Sequence, residues 1–142
     1  MQVFICGIIQ GSNRGLGVHE QTYRDRIRQI IQSHIPEAKI YCPVSLHPQS
    51  PTYDDEKAFQ VLEESVEAAK ASDLLIAYLP QASMGSAIEM WEARRAGVKI
   101  VTITKLRSNW VVRYASDIIL DDLDQLEQFV RSGGLGRLRQ KT

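Results

Sequence analysis

One run of residues carries the types and spacing that chemistry needs. Leu74 to Leu79 is apolar, Pro80 ends it, and a short polar loop follows. Ser83-Met84-Gly85-Ser86-Ala87-Ile88-Glu89 then opens a helix with a carboxylate in its first turn. In an open α/β sheet, the join of strand end, loop and helix N-terminus is where small ligands sit. A helix N-terminus stabilises an anion and keeps it ionised at neutral pH. An ionised carboxylate is what nucleophilic attack at an anomeric carbon requires, so Glu89 is the candidate catalytic residue. Ser86-Ala87-Ile88-Glu89 also fits the capping box, in which the carboxylate satisfies an N-terminal amide; the two roles are compatible.

Other polar residues are placed to serve the same join. Gln10-Gly11-Ser12-Asn13-Arg14-Gly15-Leu16-Gly17 is a loop that matches neither GxGxxG nor the Walker pattern, although its backbone N–H groups can cradle a phosphate. Ser83 can bond a phosphate or a sugar hydroxyl, or support its own turn. Asn109 can reach a ligand, or cap the short helix after it. Asp73, just before a strand, reads as a cap or turn residue. Lys105 and Arg107 follow a strand end, where loop charges are usually solvated. Trp91 and Trp110 read as core or interface residues.

The elements that must position these residues follow from hydrophobic period. Gln2–Ile9 is a continuous apolar run, as expected of a parallel strand covered on both faces. Glu20–Ile35 is a helix with Tyr23, Ile27, Ile30, Ile31 and Ile35 inward and Arg24, Asp25, Arg26, Arg28 and Gln29 outward. Lys39–Cys42 is a second strand. Ser45–Tyr53, with Pro48 and Pro51, reads as an irregular loop of the length that is functional or mobile. Asp54 or Asp55 caps a helix running to about Ala71, with Phe59, Val61, Leu62, Val66 and Ala69 as core. Leu74–Leu79 is the third strand, and the helix after it stops at Gly97. Lys99–Thr104 and Ile118–Leu120 are further strands, separated by the short helix Trp110–Ala115. Leu123–Val130 closes the fold, with Leu126, Phe129 and Val130 inward. One domain over residues 1–131 is expected, followed by a frayed basic tail over 132–142. The alternation predicts an α/β, flavodoxin-like three-layer sandwich with a five-stranded parallel sheet in the order 2-1-3-4-5. The carboxyl ends of strands 1, 3 and 4 would then bring together the first loop, the Ser83–Glu89 turn and Asn109.

Composition bounds the function classes. In 142 residues, 17 Lys and Arg balance 17 Asp and Glu, which leaves no electrostatic footprint for a nucleic-acid polymer or an anionic membrane. The first apolar run is far short of the roughly 20 residues of a membrane span and has no basic leader. Cys6 and Cys42 make neither a CxxC pair nor a disulfide framework, so free buried thiols and a cytoplasmic location are expected. His19, His34 and His47 show no metal-ligand spacing, and no cofactor is implied.

Four pieces carry a resemblance over roughly Gln2–Val130. They are Phe4-Ile5-Cys6-Gly7 with Gly11; Ala71-Ser72-Asp73; Ser83-x-Gly85-x-x-x-Glu89; and Asn109 ahead of Val112-Arg113-Tyr114-Ala115-Ser116-Asp117. The chain resembles the nucleoside 2-deoxyribosyltransferase superfamily, which includes deoxynucleoside 5′-monophosphate N-glycosidases. The resemblance implies Glu89 as nucleophile and a covalent 2-deoxyribosyl-enzyme intermediate, resolved by water or by a second nucleobase. It implies a small-molecule nucleoside or nucleotide as partner. Gly7, Gln10, Gly11, Ser65, Ser83, Gly85 and Asn109 would line the substrate site, with Ser83 at the phosphate. Asn109 would be lent by a neighbouring subunit, which implies a homodimer or larger assembly with shared sites. Three departures stand out. Ser65 occupies the place of an aspartate that handles the proton on the departing base. Ile8 and Gln10 replace a serine and an arginine of the monophosphate hydrolases, and Ala87 replaces a glycine. A binding module of the same fold without turnover is the rival reading. A receiver-like signalling domain is weaker, because Leu79-Pro80 stands where a phosphorylatable aspartate is needed.

Overall fold

A computed structural model describes residues 1–140. Five strands, β1 (Gln2–Gly7), β2 (Lys39–Tyr41), β3 (Leu74–Leu79), β4 (Lys99–Thr104) and β5 (Ile118–Leu120), form one sheet in the order β2-β1-β3-β4-β5. Every pairing is parallel. This is the flavodoxin-like order expected from the alternation of elements. The helices are α1 (Tyr23–His34), α2 (Pro43–Leu46), α3 (Asp55–Lys70), α4 (Met84–Arg95), α5 (Trp110–Ala115), α6 (Leu123–Arg131) and α7 (Gly134–Gln140), with a 3-10 turn at Ser50–Thr52.

Alternation along the strands divides the core into two layers. Val3, Ile5, Leu74, Ile76, Val101 and Ile103 face α1, α6 and α7, where Ile27, Ile31, Leu126, Leu135 and Leu138 are buried. Phe4, Cys6, Leu75, Ala77 and Ile100 face α3, α4 and α5 through Ala69, Met90, Ala93, Val112 and Ala115. Asp73 fixes the β1–β3 register. Its carboxylate accepts from Gln2 N at 2.7 Å, and its own N–H donates to Gln2 O at 2.9 Å. Asp117 does the same for β4, accepting from Ile100 N at 2.8 Å. Gly97, at φ +83°, takes the left-handed turn that ends α4.

Several sequence expectations need correction. β1 stops at Gly7, not Ile9, because the next carbonyls leave the sheet. Ile8 O accepts from Tyr23 OH at 3.1 Å and from Gln21 Nε2 at 3.0 Å, while Ile9 O accepts from His19 N. Arg24, expected outward, is 4 % exposed. The stretch 45–53 is not wholly irregular, since α2 reaches into it and the 3-10 turn follows. On α3 the buried pair is Ser65 and Ala69, whereas Phe59 and Leu62 are exposed. The tail is also different: residues 134–140 form α7, and Leu135 and Leu138 pack into the core. Residues 141–142 of that tail lie outside the described residues. Neither tryptophan is a core residue, for Trp91 and Trp110 are both exposed.

Candidate active site

Three segments at the carboxyl edge of the sheet enclose a cleft. They are the loop after β1, the stretch from β2 to α3, and the loop from β3 into α4. The cleft has two chambers. One, of about 220 Å³, is walled by Pro43, His47, Pro51 and Tyr53 from the second segment, by Val61, Leu62 and Ser65 of α3, and by Glu89. The other, of about 180 Å³, is lined by Gly7, Gln10, Gly11, Ser83, Ser86 and Glu89. Ile9, Gln10, Gly85 and Glu89 belong to both, so the carboxylate stands at their junction.

Local chemistry explains why these residues hold their places. Tyr23 lies across Gly7 so closely that a Cβ there would overlap its hydroxyl. Gly11 has φ +56°, which an L side chain rarely adopts, and a Cβ would also strike His19 and Ile8. Ser83 is the N-cap of α4: its Oγ accepts from Ser86 N at 3.3 Å. The capping box expected at Ser86–Glu89 is therefore not formed. Glu89 sits one turn further in, beyond the reach of the unpaired helix amides.

That shift alters the electrostatics. Glu89 is 9 % exposed, and burial pushes its pKa from 4.5 up to about 7. Hydrogen bonding from the Cys6 thiol and the positive charge of Arg24 pull the other way. Neutral pH therefore falls within the titration of this carboxylate, which the helix terminus does not hold ionised. Cys6 itself is driven far up by burial and by the Glu89 charge, so it stays a thiol; it donates to Ser86 O at 3.8 Å. Arg24 runs beneath the site. Its guanidinium donates to Ile5 O and Gly7 O, both at 3.2 Å, and to Cys42 Sγ at 3.7 Å. Burial, the largest influence on Cys42, pushes its thiol up, but Ser45 and Arg24 together bring it below its ordinary value.

Of the residues singled out from sequence, Gly7, Gln10, Gly11, Ser65, Ser83, Gly85 and Glu89 all line the cleft. Asn109 does not. Its Oδ1 accepts from Val111 N at 2.9 Å and Val112 N at 3.3 Å as the cap of α5. It borders a separate hollow that shares only Ser83 with the cleft. The far wall comes from the β2–α3 stretch, not from the loop after β4, whose Lys105 and Arg107 pair with Asp121. Sequence reading missed Arg24, Ser86, His47 and Tyr53. For Arg24 a signal existed, since it lies three and seven residues before Ile27 and Ile31, on the buried stripe. Ser86 had none: its hydroxyl is the one fully buried side-chain polar atom without a protein partner among the described residues, and Ser86 lines the smaller chamber. No group of three or more His, Cys, Asp or Glu among those residues is placed to hold a metal ion.

No protein-family model matches the chain, and no curated protein matches it in sequence. Solved structures do match in three dimensions. A 2-deoxyribosyltransferase from Bacillus psychrosaccharolyticus superposes with a TM-score of 0.68 at 12 % identity, over 89 % of this chain and 90 % of that one. A conserved protein from Enterococcus faecalis gives 0.63 at 17 % identity, over 94 % and 98 %. At such identities the likeness speaks for architecture, and the chain has the fold of a 2-deoxyribosyltransferase.

Proposed function

We propose that the protein cleaves or transfers the N-glycosidic bond of a (deoxy)nucleoside or its 5′-monophosphate, with Glu89 as nucleophile. The observation that carries this is the position of Glu89 between two unlike chambers. A nucleoside has the same division. Its flat, mostly apolar base suits the chamber of prolines, Tyr53, Val61 and Leu62. Its sugar and phosphate suit the glycine-rich chamber at the N-terminus of α4, where backbone amides and Ser83 can donate. The bond joining base and sugar would lie at the carboxylate. The 2-deoxyribosyltransferase of the same fold supports the substrate class.

The test is release of free base from a panel of nucleosides and monophosphates, followed by chromatography, with Glu89→Ala alongside. Loss of release in the variant is expected, and release that survives it would remove Glu89 from the mechanism. A 2-fluoro sugar analogue should leave a mass adduct on Glu89 if the intermediate is covalent. One observation favours the rival binding module: among the described residues, Glu89 is the only carboxylate lining either chamber. Retaining glycosidases ordinarily use two. Tight nucleoside binding without release would support that rival.

The assembly belongs to the same proposal. Ile88 and Trp91 of α4 and Trp110, Val111 and Tyr114 of α5 are exposed, and Trp91 and Tyr114 pack with ring centroids 5.0 Å apart. A contiguous apolar face of this kind marks an interaction surface, and we assign it to a second copy of the chain. Asn109, which caps α5, borders that face.

A further inference from the structure

Breaking a C1′–N bond needs a proton at the departing base as well as a nucleophile at the sugar. Protonation by a positioned acid is typically worth about 100- to 10,000-fold. Glu89 cannot supply that proton, because the same group must be ionised to attack. Among the described residues whose side chains line the larger chamber, only three others carry a proton on a hydroxyl that is not an alcohol, or on a ring or amide nitrogen: Tyr53, His47 and Gln10. An amide does not release its proton near neutral pH. Imidazole is the side chain suited to exchange a proton in that range.

His47 is also held in place. Its N–H donates to Pro43 O at 2.8 Å and closes α2, and its carbonyl accepts from Ser50 N at 3.1 Å as the 3-10 turn begins. Its ring meets Tyr53 edge-on, with centroids 5.9 Å apart and an interplanar angle of 87°. Nδ1 lies 3.2 Å from the Tyr53 hydroxyl, and Nε2 has no partner among the described residues. In the imidazolium both nitrogens donate, so Tyr53 oxygen fixes the ring by accepting from Nδ1. Lys57 Nζ stands 4.8 Å over the Tyr53 ring and anchors that side chain in turn.

We infer that His47 is the acid that protonates the leaving base from Nε2, with Tyr53 positioning its ring. This rests on the reading of Glu89 as nucleophile. In the first half-reaction a Glu89 oxygen forms a bond to C1′ as the C1′–N bond breaks. The bonding electrons pass to the base, which takes the Nε2 proton and leaves neutral imidazole. In the second half, the neutral ring accepts the proton of the water or second base that attacks C1′. Glu89 departs as the carboxylate, and both groups are restored.

The experiment compares two substrates on the full chain. A plain purine deoxynucleoside needs its base protonated; 7-methyl-2′-deoxyguanosine carries a cationic base that leaves as a neutral molecule. Rates are taken above the buffer blank. His47→Gln is expected to lower release from the plain purine about 100-fold or more, and from the methylated one far less. The ratio of methylated to plain rates should rise at least about 30-fold. Tyr53→Phe, which keeps the ring contact and loses the hydroxyl, should raise the same ratio about 3- to 10-fold, so the inference stays testable if the His47 variant does not fold. An unchanged ratio in both variants overturns the role of His47, because a merely structural residue would slow both substrates alike. Glu89→Ala separates the premises. It should abolish release from both substrates, and persistence there would sink the nucleophile whatever His47 does. Failure of the wild-type chain to release either base would overturn both assignments.

Discussion

Glu89 is costly where it stands. A pKa near 7 against an ordinary 4.5 means that the folded state holds a proton the unfolded chain has already lost between those values. Stability contributed by this group is therefore full below about pH 4.5 and is lost as pH rises through 7, an effect on the order of 3 kcal/mol. Glu89→Gln should accordingly raise the melting temperature at pH 8 and leave it nearly unchanged at pH 4, while abolishing turnover. Equal melting shifts at both pH values would show that burial does not set the carboxylate. Release from 7-methyl-2′-deoxyguanosine, which needs no acid, should climb with pH through about 7 in the wild-type chain as the nucleophile ionises. A rate that is flat from pH 5 to 8 would contradict that titration. Hydrogen bonding from the Cys6 thiol and, after it, the positive charge of Arg24, whose guanidinium is spent on the carbonyls of Ile5 and Gly7, keep the shift from being larger.

At the scale of elements, α4 combines two tasks, and its first turn separates them. A Cβ on Gly85 meets no atom within 4 Å, and Gly85 borders both chambers. Gly85→Val should therefore fold with a melting temperature at or slightly above wild type, because glycine inside a helix is unfavourable by about 0.5–1 kcal/mol relative to alanine. It should nonetheless lose base release as its methyls enter the cleft. Unaltered kinetics in that variant would place the substrate elsewhere. Helix α7 makes a different demand. Leu138 is buried against the core, so Leu138→Ala should cost about 2–5 kcal/mol, measured by denaturant unfolding. A chain ending at residue 131 should be destabilised further. A frayed tail would predict no effect from either change.

For the whole molecule, the exposed face of α4 and α5 predicts assembly. Trp110 is 85 % exposed, so Trp110→Glu should leave the fold intact and shift the mass seen by light scattering toward the monomer. If base release falls together with the mass, residues of the neighbouring copy complete the site. If it does not, Asn109 serves only as the cap of α5. No helix among the described residues is long and apolar enough to cross a membrane.

Strand order and the identity of the edge that carries the site follow from local pattern. The runs Leu74–Leu79 and Lys99–Thr104 read as buried parallel strands, and the alternation with helices on both faces points to the doubly wound order that the sheet has. Seven of the eight residues marked for the site line one cleft, for the same reason: loops after parallel strands converge. What the sequence left open depended on contacts between segments distant along the chain. Which serine caps α4 was settled by how the β3 loop enters the helix, and that choice moved Glu89 from the first turn to the second. Whether Arg24 faces water was settled by the carbonyls of Ile5 and Gly7, which need donors because the pairing of β1 with β2 ends at Phe4. His47 reached the cleft because the prolines on either side turn the β2–α3 stretch back over α3. A residue's own neighbours in sequence fix its local conformation, but the donors, charges and cavities it meets come from elsewhere in the chain, and only tertiary packing brings them within reach.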